Sequence, residues 1–308
     1  MRRSLALLAL AGCATSMAPP FVERGAMPAR VHVAEDFETD IERRWWLAGR
    51  LEEDAGQRVC RGTSSKDFDD KMGVPGSKWT AVVFNPVPGP PMGPNPRLSF
   101  RYRLKGTDTL RVQIFSLSNN YHRRYLMTGL PQGEWRAACV DMTLLRRPDG
   151  SGGPLSADER IDDIQFYVDP AAELWIDDIV LFDAAPPGEF VPFPRRVIFT
   201  GWFDTGAQGK EWPGDFDIVA HEKPRTWKHA RAKNGVLRVD LRGARPATSG
   251  RVRFLARGQG FVTVGSTTTR LTGDDWKSYD FPFQAPGSLK DIRFTGDVSV
   301  DDLLLYEP

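Results

Sequence analysis

The sequence has few of the residues that most often carry chemistry. Of 308 residues only three are Cys and four are His. Neither Cys60 nor Cys139 has a Cys or His at ligand spacing, which argues against a thiolate metal site. His221-Glu222 lacks the second His of a zincin helix, and there is no Gly-x-Ser-x-Gly elbow. Phosphate-cradling GxxxxGK[ST] and GxGxxG loops are also missing. Charge of neither sign dominates: 41 Lys and Arg face 40 Asp and Glu, a net of +1. No overall field therefore draws the chain to nucleic acid. No run reaches the ~18 apolar residues of a membrane helix. Sustained helical periodicity is missing too, which leaves short alternating runs as the main structural signal.

What is abundant fits an all-β chain. The 29 Gly and 24 Pro supply turns, and nine Trp with eighteen Phe supply a sheet-rich core or a stacking surface. With 41% hydrophobic residues the chain can build real cores and is not disordered. The length suggests two domains of roughly 100–200 residues each.

The first residues form an export signal: Arg2 and Arg3, then an apolar run from Leu5 to Gly12, then small residues. Leu10-Ala11-Gly12-Cys13 resembles the lipobox of exported bacterial lipoproteins. That resemblance implies a signal over 1–12, lipid on Cys13 and a tether over 13–32 that includes Pro19, Pro20 and Pro28. The protein would then sit in the cell envelope, periplasmic or surface-facing, touching the membrane only through its lipid. A plain secretory peptide, or an uncleaved N-terminus, is the alternative. In an oxidising compartment the remaining thiols, Cys60 and Cys139, either pair as a disulfide or are buried separately.

The interior reads as one plan used twice. Leu98, Phe100, Tyr102 and Leu104 alternate on one strand face, and Leu110, Val112 and Ile114 repeat the pattern after a turn. Further on come Trp135-Arg136, then Asp163-Ile164-Gln165-Phe166, then Ile176-Asp177-Asp178-Ile179. Late in the chain the same order returns as Trp276-Lys277, Asp291-Ile292-Arg293-Phe294 and Val300-Asp301-Asp302-Leu303. The expected domains are 33–185 and 195–308, joined by a Pro-rich linker over 186–194. Equal placement in the two copies gives Trp135 and Trp276 a core or strand-opening role.

The closing Asp-Asp strand, the Trp-basic strand opening and the Glu35-Asp36-Phe37-Glu38 start resemble galactose-binding-like jelly rolls. Gly201-Trp202-Phe203-Asp204 is the weaker counterpart in the second half. Many non-catalytic carbohydrate-binding modules share that fold, as does the domain of complex I intermediate-associated proteins. The resemblance implies two tandem antiparallel β-sandwiches and a structural calcium. It makes Glu38 and Asp178 candidate calcium ligands in the first domain, and Asp204 and Asp302 weaker ones in the second. These aspartates can equally hydrogen-bond backbone amides.

Asn119 to Tyr125 is the most site-like segment. As a strand it places Tyr121, Arg123 and Tyr125 on one face, with Asn120, His122 and Arg124 on the other. Aromatic rings stack on sugars and guanidinium forks bind hydroxyls or carboxylates, so Tyr121, Arg123 and Tyr125 are candidate glycan contacts. The Trp45-Trp46 doublet cannot place both rings on one strand face, so either ring can be exposed, which adds Trp46 as a candidate contact; the alternative is that these rings plug the ends of the sandwich. The expected function is non-catalytic binding of a polysaccharide or another extracellular ligand. The alternatives are a β-sandwich lyase or glycoside hydrolase, with Tyr121 or His122 as base, and an envelope scaffold that contacts proteins.

Overall fold

The computed structural model describes residues 24–39, 44–64, 79–86, 89–157, 159–186, 188, 191–204, 212–222, 227–241 and 243–308, with only the backbone at 44–46. The export signal and Cys13 lie outside the described residues. The described regular structure is antiparallel strand, apart from a 3-10 turn at Met142–Leu144.

The first half holds β1 (Arg30–Glu35), β2 (Arg44–Ala48), β3 (Arg50–Asp54), β4 (Gln57–Arg61), β5 (Thr63–Ser64) and β6 (Thr80–Pro86). Then come β7 (Pro96–Lys105), β8 (Leu110–Ser116), β9 (Tyr121–Met127), β10 (Arg136–Asp141), β11 (Ile161–Val168) and β12 (Glu173–Asp183). One sheet has the order β10-β7-β12-β4-β3, with β1 also on β12. The second has the order β2-β6-β11-β8-β9, with β5 also on β6. The period-two apolar residues of β7 and β8 do what alternation predicts. Leu98, Phe100, Tyr102 and Leu104 face Val112, Ile114 and Phe166 in one core, and the Phe100 and Phe166 rings meet 4.8 Å apart. Each such fully buried side chain contributes roughly 1.5–3 kcal/mol of transfer energy.

The second half holds β13 (Arg196–Gly201), β14 (Gly214–Asp215), β15 (Asp217–Ala220), β16 (Lys228–Arg231) and β17 (Val236–Asp240). It ends with β18 (Ser249–Val264), β19 (Thr267–Leu271), β20 (Lys277–Gln284) and β21 (Asp291–Glu307). Here hydrogen bonds join nine strands into one continuous sheet instead of two separate ones. The long strands β18 and β21 pair along nearly their whole length. They bend where Gly258 and Gly296 both have φ +105°, and a Cβ at Gly258 would collide with the Asp297 carbonyl. The bend folds the sheet over its own core, so Phe254 from one end of the β18–β21 ribbon meets Phe294 from the other at 5.2 Å.

The two Asp-Asp motifs form the same local structure. Asp178 and Asp302 have φ +48° and +51°, and each donates its N–H to the carboxylate of the preceding Asp at 2.8 Å. The strand pairing slips at both places. Each second Asp is thus the extra residue of a β-bulge. This corrects simple alternation: Ile176 and Ile179, three apart, both face the first core, as Val300 and Leu303 both face the second. Phe37 and Phe203 also share a positive φ, +56° and +50°.

The outward faces of β12 and β21 pack together. Val31, Cys139, Val180 and Phe182 meet Leu304 and Tyr306 in a third apolar cluster. Trp202 donates its Nε1–H to the His32 carbonyl at 2.9 Å across this junction. The tether therefore ends earlier than residue 32. Met27 is buried in the junction, and Val31 pairs with Phe182 within the first sheet.

Candidate functional site

β9 turns the expected stripe inward. Met127 and Tyr125 pack on the first core, and Arg123 on the same side is 3% exposed. Its guanidinium donates to both oxygens of Glu159, at 3.0 and 3.2 Å, to the Gly153 carbonyl, and to the Tyr121 hydroxyl at 2.7 Å. Glu159 in turn accepts the Ser156 N–H at 3.0 Å, and its carboxyl is held below the usual carboxylate range by hydrogen bonds that outweigh its burial. The Arg147 guanidinium covers the Tyr121 ring at 3.8 Å. Arg123 thus anchors the segment around 153–159 to β9, and the geometry leaves its fork no free donor pair for a sugar. Tyr121 and His122 lie on opposite strand faces, so they do not form one acid–base pair. The Trp46 side chain lies outside the described residues.

The other face of the second sheet carries what the stripe lacks. In register across the sheet, Ala48, Val83, Gln165, Gln113 and Arg124 follow one another. The Gln113 amide donates to Gln165 Oε1 at 2.7 Å and contacts His122 Nδ1 at 3.1 Å. That bond makes Nδ1 the acceptor and assigns the His122 proton to Nε2. Gln165 reaches Asp163 at 3.3 Å, and Asn85 donates to Asp162 and Asp163 at 2.6 and 2.9 Å. Burial, helped by the neighbouring Asp162, pushes the Asp163 carboxyl up to about 6. The Phe115 ring stands edge-on to His122 at 5.0 Å, and Phe115, His122 and Arg124 are half-exposed. Beyond them Arg111 sits 3.9 Å over the Trp79 ring. Within this chain of bonds Gln113 Oε1 is buried without a partner. A buried acceptor left unmade costs ~1–3 kcal/mol.

The sequence held a signal for this face. Gln113 interrupts Val112 and Ile114, and Gln165 interrupts Ile164 and Phe166, so neighbouring strands put amides on the side opposite the core. Alternation alone does not say which side of β9 faces the core. That is decided by the segment held by Arg123.

The candidate calcium ligands are engaged elsewhere. Glu38 accepts the Arg58 N–H at 2.9 Å, and the Asp178 carboxylate meets Arg101 at 3.2 Å. The Asp178 carbonyl accepts from Arg24 at 3.2 Å. Asp302 pairs with Arg30, and Asp204 pairs with Arg160 at 3.1 Å. Among the described residues no three His, Cys, Asp or Glu converge on a common point. Calcium needs six to eight oxygens, and here guanidinium groups already serve the Asp-Asp bulges. Among the described residues these four carboxylates do not converge on a calcium site.

Cys60 and Cys139 are buried and are not joined by a disulfide. β7 and β12 lie between their strands, β4 and β10, and they face opposite sides of the sheet, Cys60 in the first core and Cys139 in the junction. Two intervening strands, at ~4.8 Å per step, put them beyond disulfide reach. Burial raises the Cys139 thiol to about 11. Trp135 and Trp276 are both half-buried and outside the core clusters. Trp135 donates to Asp54 at 2.6 Å under Arg101 and Arg103, whereas Trp276 lines a cleft between the halves.

No family model matches this chain, and no curated protein is similar to it. Several solved structures are similar in part. A family 11 carbohydrate-binding module from Clostridium thermocellum, in complex with a β-1,3-1,4-mixed-linked tetrasaccharide, is 19% identical with a TM-score of 0.37. The match covers 53% of this chain and 99% of that one. The tandem family 22 modules of Paenibacillus barcinonensis Xyn10C cover 92% of this chain and 99% of their own, at 12% identity and a TM-score of 0.28. A family 29 module complexed with mannohexaose is 14% identical with a TM-score of 0.32, covering 51% of this chain and 99% of that one. At these scores the likenesses carry no argument about a site or ligand, and the all-β fold rests on the strand pairing above.

Proposed function

We propose that the chain is an exported, lipid-anchored, non-catalytic glycan-binding protein with two jelly-roll-like units, and that its ligand lies on the outer face of the second sheet over Gln113, His122 and Asp163. The observation that carries this reading is the buried Gln113 Oε1 without a donor, set in a chain of amide, carboxylate and imidazole groups. Sugar hydroxyls both donate and accept, which is what such a row needs. Because Gln113 holds Gln165, and Gln165 and Asn85 both hold Asp163, a ligand pays little to order them. The lipobox-like Leu10 to Cys13 supports the exported, anchored state.

The test is calorimetric titration of the purified protein against neutral and uronate-containing oligosaccharides, with Gln113→Ala and His122→Ala alongside. Binding by the wild type that weakens tenfold or more in Gln113→Ala is the expected result. Binding untouched by both substitutions would place the ligand elsewhere. No binder in the panel, with a co-purifying protein instead, would favour the scaffold reading.

A further inference from the structure

A cleft of about 430 Å³ lies between the halves, and its walls come from both. That volume is within the range of small-molecule sites. Trp227 and Trp276 line it with Arg30, Asp183, His221 and the Asp301-Asp302 bulge. Trp276 is a braced platform: His221 packs against it at 5.1 Å and the buried His229 edge at 5.2 Å. His229 has no hydrogen-bond partner on either ring nitrogen, and burial lowers it to about 4, so it stays neutral. The polar groups are held as firmly. His221 Nε2 meets Asp301 at 2.8 Å, and Arg30 pairs with Asp301 at 3.5 Å and with Asp302. Arg30 also lies 3.8 Å over the Trp227 ring. Its Nη1 is nevertheless buried without a partner.

We propose that this cleft is a second saccharide site, which takes one neutral hexopyranose residue on the Trp276 ring with a ring-substituent oxygen on Arg30 Nη1. A half-exposed indole supplies the flat apolar surface for a pyranose face. Asp183, Asp301 and Asp302 supply carboxyl oxygens that accept from hydroxyls, and Arg257 lies 5.3 Å from the Trp276 ring. A uronate carboxylate cannot donate to these acceptors as a hydroxyl does, which favours a neutral sugar. This step rests on the glycan-binding reading, but on residues separate from Gln113 and His122.

The experiment is tryptophan-fluorescence and calorimetric titration with cellohexaose, mannohexaose and hexagalacturonate. The proteins compared are wild type, Trp276→Ala, Trp276→Tyr, Arg30→Lys and Gln113→Ala, each checked for native circular dichroism. The expected result is two classes of neutral-saccharide site in the wild type. Trp276→Ala removes one class and Gln113→Ala the other, Trp276→Tyr restores the first, and Arg30→Lys weakens it at least tenfold. The cleft proposal alone fails if Gln113→Ala abolishes all binding while Trp276→Ala and Arg30→Lys change nothing. It also fails if hexagalacturonate binds this class as tightly as the neutral sugars. If no saccharide binds any of the proteins, it fails together with the glycan reading.

Discussion

Arg123 separates a ligand-contact account of β9 from a structural one. The Arg123 and Glu159 side chains are 3% and 1% exposed, and their ion pair is closed by two hydrogen bonds. Replacing Arg123 by Met keeps the apolar stem but leaves Glu159 charged, buried and without its main partner. Breaking a buried pair this way costs about 3–5 kcal/mol. For a unit of 150–250 residues each kcal/mol moves Tm by roughly 2–4 °C, so a fall of about 6–20 °C is expected. Arg123→Met with Glu159→Leu removes both charges and should recover most of that loss. The assay is thermal unfolding by circular dichroism, paired with glycan titration at a temperature where every variant is folded. The expected outcome is a large Tm loss with binding kept. An unchanged Tm with binding lost would refute the reasoning and make Arg123 a ligand contact.

Two further outcomes follow from the Asp-Asp bulges. Burial, with Asp178 beside it, raises the Asp177 carboxyl to about 7. A carboxyl raised above its unfolded value near 3.9 gives stability that is fully present below that value and lost as pH rises through 7. Asp177→Asn should therefore flatten the fall in stability between about pH 4 and 7 by up to about 1.4 kcal/mol per pH unit, read from urea unfolding across that range; an unchanged slope contradicts the raised carboxyl. Calcium and chelator should give the same Tm by calorimetry, because guanidinium groups occupy the bulges. A bound ion present at 100 times its Kd would instead add about 2.7 kcal/mol.

Much of the fold was legible because alternation is a local property. Leu98 to Leu104 and Leu110 to Ile114 each declare a buried face without reference to the rest of the chain. The Asp-Asp motifs were legible as landmarks but not as bulges. An extra residue shows only when a partner strand slips beside it, as at Asp178 and Asp302. The continuous sheet of the second half depends on glycines of two distant strands, Gly258 and Gly260 on β18 and Gly296 on β21, falling at one place in the ribbon, which no short window contains. The candidate site was half legible. On β9 the outward set includes His122 and Arg124, because Arg123 finds Glu159 36 positions away. The Gln113–Gln165 bond spans 52 positions and exists only because β8 and β11 are neighbours, which no local pattern states.

The central assignment is that sugar meets the amide-lined face of β8 and β11 and leaves the Tyr121–Arg123 side of β9 alone. Hydroxyl-radical footprinting with and without a saturating bound oligosaccharide reads both sides at once. The account predicts protection at Phe115 and His122 and no change at Tyr121 or Tyr125. Protection at Tyr121 and Tyr125, with Phe115 and His122 unaffected, would contradict it.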